Sequence, residues 1–173
     1  MRWLPFQLNP DLPENGIPRE EYVARKFGAR GKGVNERVVM AGRQVGIPFA
    51  YEKMQTQPNT LNAHRLVLYA EREGRQDEMA EELFRAHFTE GANLTDRETL
   101  ADIAARSGLD RKLVADYLAS DQDRDTIARA DIEARNAGIG GVPFFIFNRK
   151  VSVSGAQDPE ALLEAMEQAL AEG

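Results

Sequence analysis

His64 and His87 are the only two imidazoles in a chain of 173 residues that contains no cysteine. Their separation forms neither an HExxH pair nor another metal-ligand spacing, so the sequence offers no basis for metal chemistry. Without a thiol, the chain as written excludes disulfides, thiolate metal sites and a cysteine nucleophile of its own. His87 falls in a helical pattern and reads as a partly buried or capping residue. His64 lies in QPNTLNAHR, a turn leading into a helix whose free N–H groups and polar side chains could face a ligand, although a structural role outweighs catalysis on the sequence alone. No GxSxG nucleophile elbow is present. Gly138, Gly140 and Gly141 precede a strand rather than a helix, which makes them a helix stop and turn and not a phosphate loop. Most carboxylates stand three or four residues from an arginine or lysine, as over 121–135, the pattern of a solvated helix face.

The stretch GIGGVPFFIFNRKVSVSGA, residues 138–156, has the grammar of a β-hairpin. Aromatic and β-branched runs at 144–147 and 151–153 flank a polar turn at Asn148, Arg149 and Lys150. Val142 and Pro143 stand at its entrance, the place where a proline costs no ladder bond and where a cis X-Pro bond is at home. Phe144, Phe145 and Phe147 read as sheet core, given the acidic charge of the chain.

Several elements must position these residues. MRWLPFQL predicts a strand with Trp3, Phe6 and Leu8 as its bulky members, ended by the loop NPDLPENGIP. Pro18 suits the first turn of a helix that Gly28 stops, and a second helix runs over 36–45 with Gly46 as its stop, followed by an extended apolar piece at 47–51. From residue 57 the period becomes helical. Asn59 or Thr60 can cap a helix carrying Leu61, His64, Arg65, Leu68 and Tyr69, and a second helix covers 78–88. Thr95 and Glu98 have the spacing of a capping box, and Gly108 closes the helix that follows. Helices over 109–119 and 121–136 lead to the hairpin. Asp158 and Pro159 then open a last helix with an amphipathic stripe of Leu162, Leu163, Met166 and Leu170. Strand, long helical block, hairpin and helix, in that order, predict an α/β sheet with an inserted helical subdomain.

Twenty-two basic against twenty-eight acidic residues give a net charge of −6, with the two signs interleaved. Nucleic acid and anionic membrane are therefore poor partners. No apolar run approaches bilayer length and the opening residues lack the pattern of a signal peptide, so a cytoplasmic location is expected.

GIGGVPFFIFNRKVSVSGAQDPEALLEAMEQAL resembles the C-terminal part of the DsbA-like thioredoxin-fold family, in particular its cytoplasmic FrnE-like branch of dithiol-disulfide isomerases. WLPFQLNPDLPENGI is similar to that branch's second sheet strand and loop, QPNTLNAHR to the entrance of its helical domain, and LFRAHFTEGANLTDRETLADIAARSGLD to its central helices. Gln57 departs from the methionine expected before the proline. The resemblance implies a thioredoxin-like fold, α/β, with an inserted all-helical domain. Residues 1–56 and 138–173 would form the thioredoxin-like part and residues 57–137 the insertion.

Relatives begin with a strand and a CxxC helix ahead of the strand that here starts at Met1, so the chain as written is expected to lack its first strand and helix. That strand would lie between the one at 3–8 and the one at 144–147. Its loss predicts exposed edges, instability, aggregation, or strand exchange and homodimer formation. Met1 sits where valine would be natural, as a GTG codon taken for a start would produce; a mis-assigned start, a decayed product and a deliberate non-redox protein are the three explanations.

The resemblance implies protein thiols and disulfides, or extended peptides, as partners. Pro143 matches the family's cis-proline, and Val142 before it would offer backbone groups to an extended substrate. Asn59, Thr60 and His64 would line a substrate cleft. No catalytic residue, metal or required cofactor is expected. A glutathione-dependent isomerase or transferase of the hydroxychromene-carboxylate isomerase and kappa-class type, which would use glutathione, is the second reading, and a non-catalytic peptide-binding protein the third. The FQLNPD and FTEG blocks favour the FrnE-like branch over the glutathione enzymes.

Overall fold

A computed structural model describes residues 1–28, 33 and 35–171. It divides into two compact units, Met1–Ala128 and Arg129–Gly173.

In the first unit, helices α1 (Arg19–Phe27) and α2 (Glu36–Gln44) precede four helices that carry the core: α3 (Leu61–Arg72), α4 (Gln76–Arg85), α5 (Arg97–Arg106) and α6 (Arg111–Ala119). Leu66, Met79, Leu100, Val114 and Leu118 are fully buried there. Local chemistry sets the helix starts. The Asn59 Oδ1 accepts from the Leu61 N–H at 2.9 Å, and Asp110 accepts from the Leu113 N–H at 2.9 Å. The predicted capping box is displaced by one residue. Asp96, not Thr95, caps α5 by accepting from the Thr99 N–H at 2.8 Å and its hydroxyl at 2.6 Å, because a carboxylate is the stronger acceptor. Thr95 instead donates to Asn93.

Two features of this unit were not foreseen. Strands β1 (Ile17–Pro18) and β2 (Thr56–Gln57) form a short antiparallel ladder, with Pro18 at once the end of β1 and the residue before α1. Past the end of α4, residues Ala86–Glu90 form a π-turn closed by Gly91, whose N–H donates to the Ala86 carbonyl. The predicted strand at 3–8 is also corrected: that segment pairs in no sheet among the described residues, since a ladder needs a neighbouring strand and none adjoins it there.

Helix α7 (Arg124–Asn136) spans the boundary between the units. In the second unit β3 (Phe144–Phe147) and β4 (Val151–Ser154) form the expected antiparallel hairpin, with Phe145 opposite Val153 and Phe147 opposite Val151. Asn148 and Arg149 take the left-handed backbone that a tight hairpin turn demands. Helix α8 (Pro159–Ala171) packs on this hairpin, and Asn148 Nδ2 donates to the Ala169 carbonyl at 3.2 Å. Of its predicted apolar stripe only Leu162 is half-buried. Ala165 and Ala169 are buried while Leu163, Met166 and Leu170 are exposed, because small side chains allow the close approach of helix to hairpin.

Candidate functional site

Val142 and Pro143 lead directly into β3 of the second unit, and the peptide bond between them is cis. The Pro143 carbonyl accepts from the Gly155 N–H at 2.8 Å, which closes the mouth of the hairpin, and both Val142 and Pro143 are exposed. Phe145 and Phe147 stack with near-parallel rings, centroids 6.3 Å apart, on the face shared with Val151 and Val153. Among the described residues β3 has β4 as its one ladder partner, so its other edge presents unpaired backbone groups.

Asn59, Thr60 and His64 come together at the start of α3 in the first unit, all half-buried. The Asn59 side chain is committed at both ends: besides capping α3, its Nδ2 donates to the Leu12 carbonyl at 2.7 Å and ties the loop after segment 1–8 to the helix. Thr60 precedes the helix without a side-chain capping bond, and its carbonyl accepts from the His64 N–H at 3.0 Å. His64 thus stands one turn into α3.

One polar residue of this region escaped the sequence reading of sites. Arg65, next to His64, is fully buried and donates to carbonyl oxygens at the end of α6 and beyond it: Tyr117 at 2.9 Å, Ser120 at 2.8 Å and Gln122 at 2.8 Å. Nη1 donates to Asn62 Oδ1 at 2.9 Å, and the guanidinium lies 4.8 Å from the centroid of the Tyr117 ring. Burial pulls the Arg65 guanidinium below its ordinary range, but it is charged wherever the protein folds, and the negative end of α6 is its counterpart. The Tyr117 hydroxyl donates to Asp123 at 2.9 Å, and Arg72 grips the same carboxylate with two bonds of 2.7 Å. Those Arg72 bonds hold Asp123 below the usual carboxylate range. The signal for this hub was present: Arg65 shares a helix face with Leu61 and Leu68, where a charge demands partners.

His87 serves the fold. It sits half-buried in the π-turn, Nδ1 3.4 Å from the Ala92 carbonyl and its ring edge-on to Phe88. Burial pushes its imidazole below the ordinary range, against a smaller opposing effect of the Ala92 carbonyl. A depressed folded-state value means that protonation favours the unfolded chain. Stability is therefore expected to be level above about pH 6.5 and to fall as the pH drops from there toward the folded value. The His87→Gln variant should lose this decline below about pH 6.5 in denaturant melts, and a parallel decline in both proteins would refute the assignment. Further acid loss, common to both, is expected as Asp123, Asp96 and Glu14 protonate, since all three carboxyls are held below their ordinary values.

Among the described residues no group of three or more potential ligand side chains could hold a metal ion. No described helix is long and apolar enough to cross a membrane.

A family model described as the DSBA-like thioredoxin domain matches residues 1–167. Among solved structures, the crystal structure of a probable DsbA oxidoreductase from Streptomyces coelicolor is similar to this chain with a TM-score of 0.88 and 26% sequence identity. The match covers 97% of this chain and 74% of that one. No curated protein matches.

Proposed function

We propose a function on the premise that this chain belongs to the DSBA-like thioredoxin family: it is a substrate-holding scaffold for thiol-disulfide exchange, of the cytoplasmic FrnE-like branch. The fold is thioredoxin-like with a helical insertion. In the exchange reaction a thiolate attacks one sulfur of a substrate disulfide, a new S–S bond forms as the old one breaks, and the electron pair leaves with the second sulfur. A second thiol then attacks the mixed disulfide and releases the reduced substrate. None of the 173 residues supplies either thiol, so the sulfur chemistry needs cysteines from outside them.

What these residues can do is hold the substrate. The observation that carries this reading is the open edge of β3 with Val142 exposed at its entrance, where an extended peptide can add as a strand and find its main-chain partners. Asn59, Thr60 and His64 at the start of α3 are the second candidate contact. Phe145 and Phe147 supply apolar surface on one face of the hairpin. The absence of cysteine favours one further reading, a non-catalytic peptide-binding protein that uses the same edge. Glutathione as a ligand, and a second copy whose strand fills the open edge, are the remaining partners to separate.

Fluorescence anisotropy of a labelled extended peptide tests the proposal. The chain should bind the peptide, and methylating alternate backbone nitrogens should weaken binding about ten-fold or more, since strand addition depends on main-chain bonds. Undiminished binding of the methylated peptide would sink strand addition. Displacement by glutathione would favour the isomerase-type alternative. The chain alone should not reduce insulin.

A further inference from the structure

Segment 1–8 lies outside any sheet among the described residues, yet its backbone is not left to solvent at Trp3. The Gln76 side-chain amide makes the two bonds that a neighbouring strand would make. Its Oε1 accepts from the Trp3 N–H at 2.9 Å and its Nε2 donates to the Trp3 carbonyl at 3.0 Å. Asp77 accepts from the indole Nε1 at 2.6 Å. The Phe84 ring meets the indole edge to face, centroids 5.8 Å apart, and Glu71 pairs with Arg2 at 2.6 Å. All four partners stand on the α3–α4 hairpin: Glu71 in the last turn of α3, Gln76 and Asp77 in the first turn of α4, and Phe84 near its end.

We propose that this hairpin carries a recognition clamp for an extended, tryptophan-bearing segment, and that its occupant is the chain's own residues 1–8. The chemistry divides the task. An amide bonded to both the N–H and the C=O of one residue fixes the direction and register of the backbone whatever the side chain. The carboxylate and the aromatic ring then select a side chain that is apolar in body and donates a hydrogen bond at its edge, which describes tryptophan. A slip that placed Leu4 in the clamp would leave Asp77 without a donor. Gln76 and Asp77 are thus positioning residues, and the helical insertion sets the register of the segment at Trp3. This inference is independent of the reading of Val142 and Pro143.

Trp3 is the only tryptophan, so its emission reports on the clamp alone. In the intact chain, Gln76→Ala and Asp77→Leu are each expected to shift that emission to the red and to raise its quenching by acrylamide about two-fold, as the indole loses its partners. Asp77→Asn, which keeps an oxygen acceptor without the charge, should behave as the parent. The far-UV helical signal should be unchanged in all three, since the buried core of α4 is Met79, Ala80 and Leu83. Unaltered Trp3 emission in both Gln76→Ala and Asp77→Leu would overturn the proposal. So would an Asp77→Asn variant as perturbed as Asp77→Leu, which would assign the effect to charge at the start of α4, or an emission shift that comes with lost helical signal.

Discussion

Replacing Arg65 by methionine is expected to destabilise the first unit by about 3–5 kcal/mol, the range for stripping one partner from a buried charged network. Methionine keeps much of the stem volume and removes every donor. The Ser120 and Gln122 carbonyls and the buried Asn62 Oδ1 then lose the Arg65 donor, while the Tyr117 carbonyl keeps only the Ser120 N–H and hydroxyl. Each buried acceptor left unsatisfied costs about 1–3 kcal/mol, and partial relaxation keeps the total below their sum. Lysine should recover only part of the loss, because one ammonium cannot reproduce a planar fork that serves several acceptors at once. Urea melts followed by far-UV circular dichroism would measure both variants. A methionine variant within about 1 kcal/mol of the parent would show that α6 and the residues after it do not depend on this cation.

A single added methyl at Gly91 is expected to be nearly as damaging, at about 2–4 kcal/mol, from a left-handed backbone cost and an overpacking cost together. Gly91 has φ of +76°, and a Cβ there would lie 2.5 Å from Lys53 Cβ and 2.8 Å from the Lys53 carbonyl carbon and oxygen. Backbone cannot yield as a flexible side-chain tip can. The contact also matters for the chain path, since the Phe88 carbonyl accepts from the Ala50 N–H at 2.8 Å and the Phe88 ring packs against Phe49 and Tyr51. Gly91→Ala should therefore lower the urea midpoint and loosen this aromatic group, seen as lost dispersion of its ring resonances. Gly140→Ala is the control, because a Cβ at Gly140 meets nothing within 4 Å. Equal effects from the two substitutions would contradict the packing argument.

Local chemistry by itself determined most helix positions and the hairpin. Gly28 and Gly46 lie just past helices, Asp110 caps one, and Asn148 and Arg149 turn β3 into β4, all through bonds or backbone preferences that reach no further than a few residues. The family resemblance was legible for the same reason, as it is carried by contiguous blocks whose match extends over residues 1–167. Tertiary structure decided what depends on residues distant in sequence. Segment 1–8 has the composition of a strand, but a strand exists only beside another; among the described residues it pairs in no sheet, and the α3–α4 hairpin bonds its backbone at Trp3. Leu163, Met166 and Leu170 make a convincing apolar stripe, yet the line of α8 that is buried contains Ala165 and Ala169, because the fit of two surfaces and not hydrophobicity alone selects what is covered. Arg65 stands in sequence on the helix face of Leu61 and Leu68, a place that calls for partners but does not name them. Only the fold brings the carbonyls at the end of α6, more than fifty residues away in sequence, to its guanidinium, and a buried cation becomes stable where those partners converge.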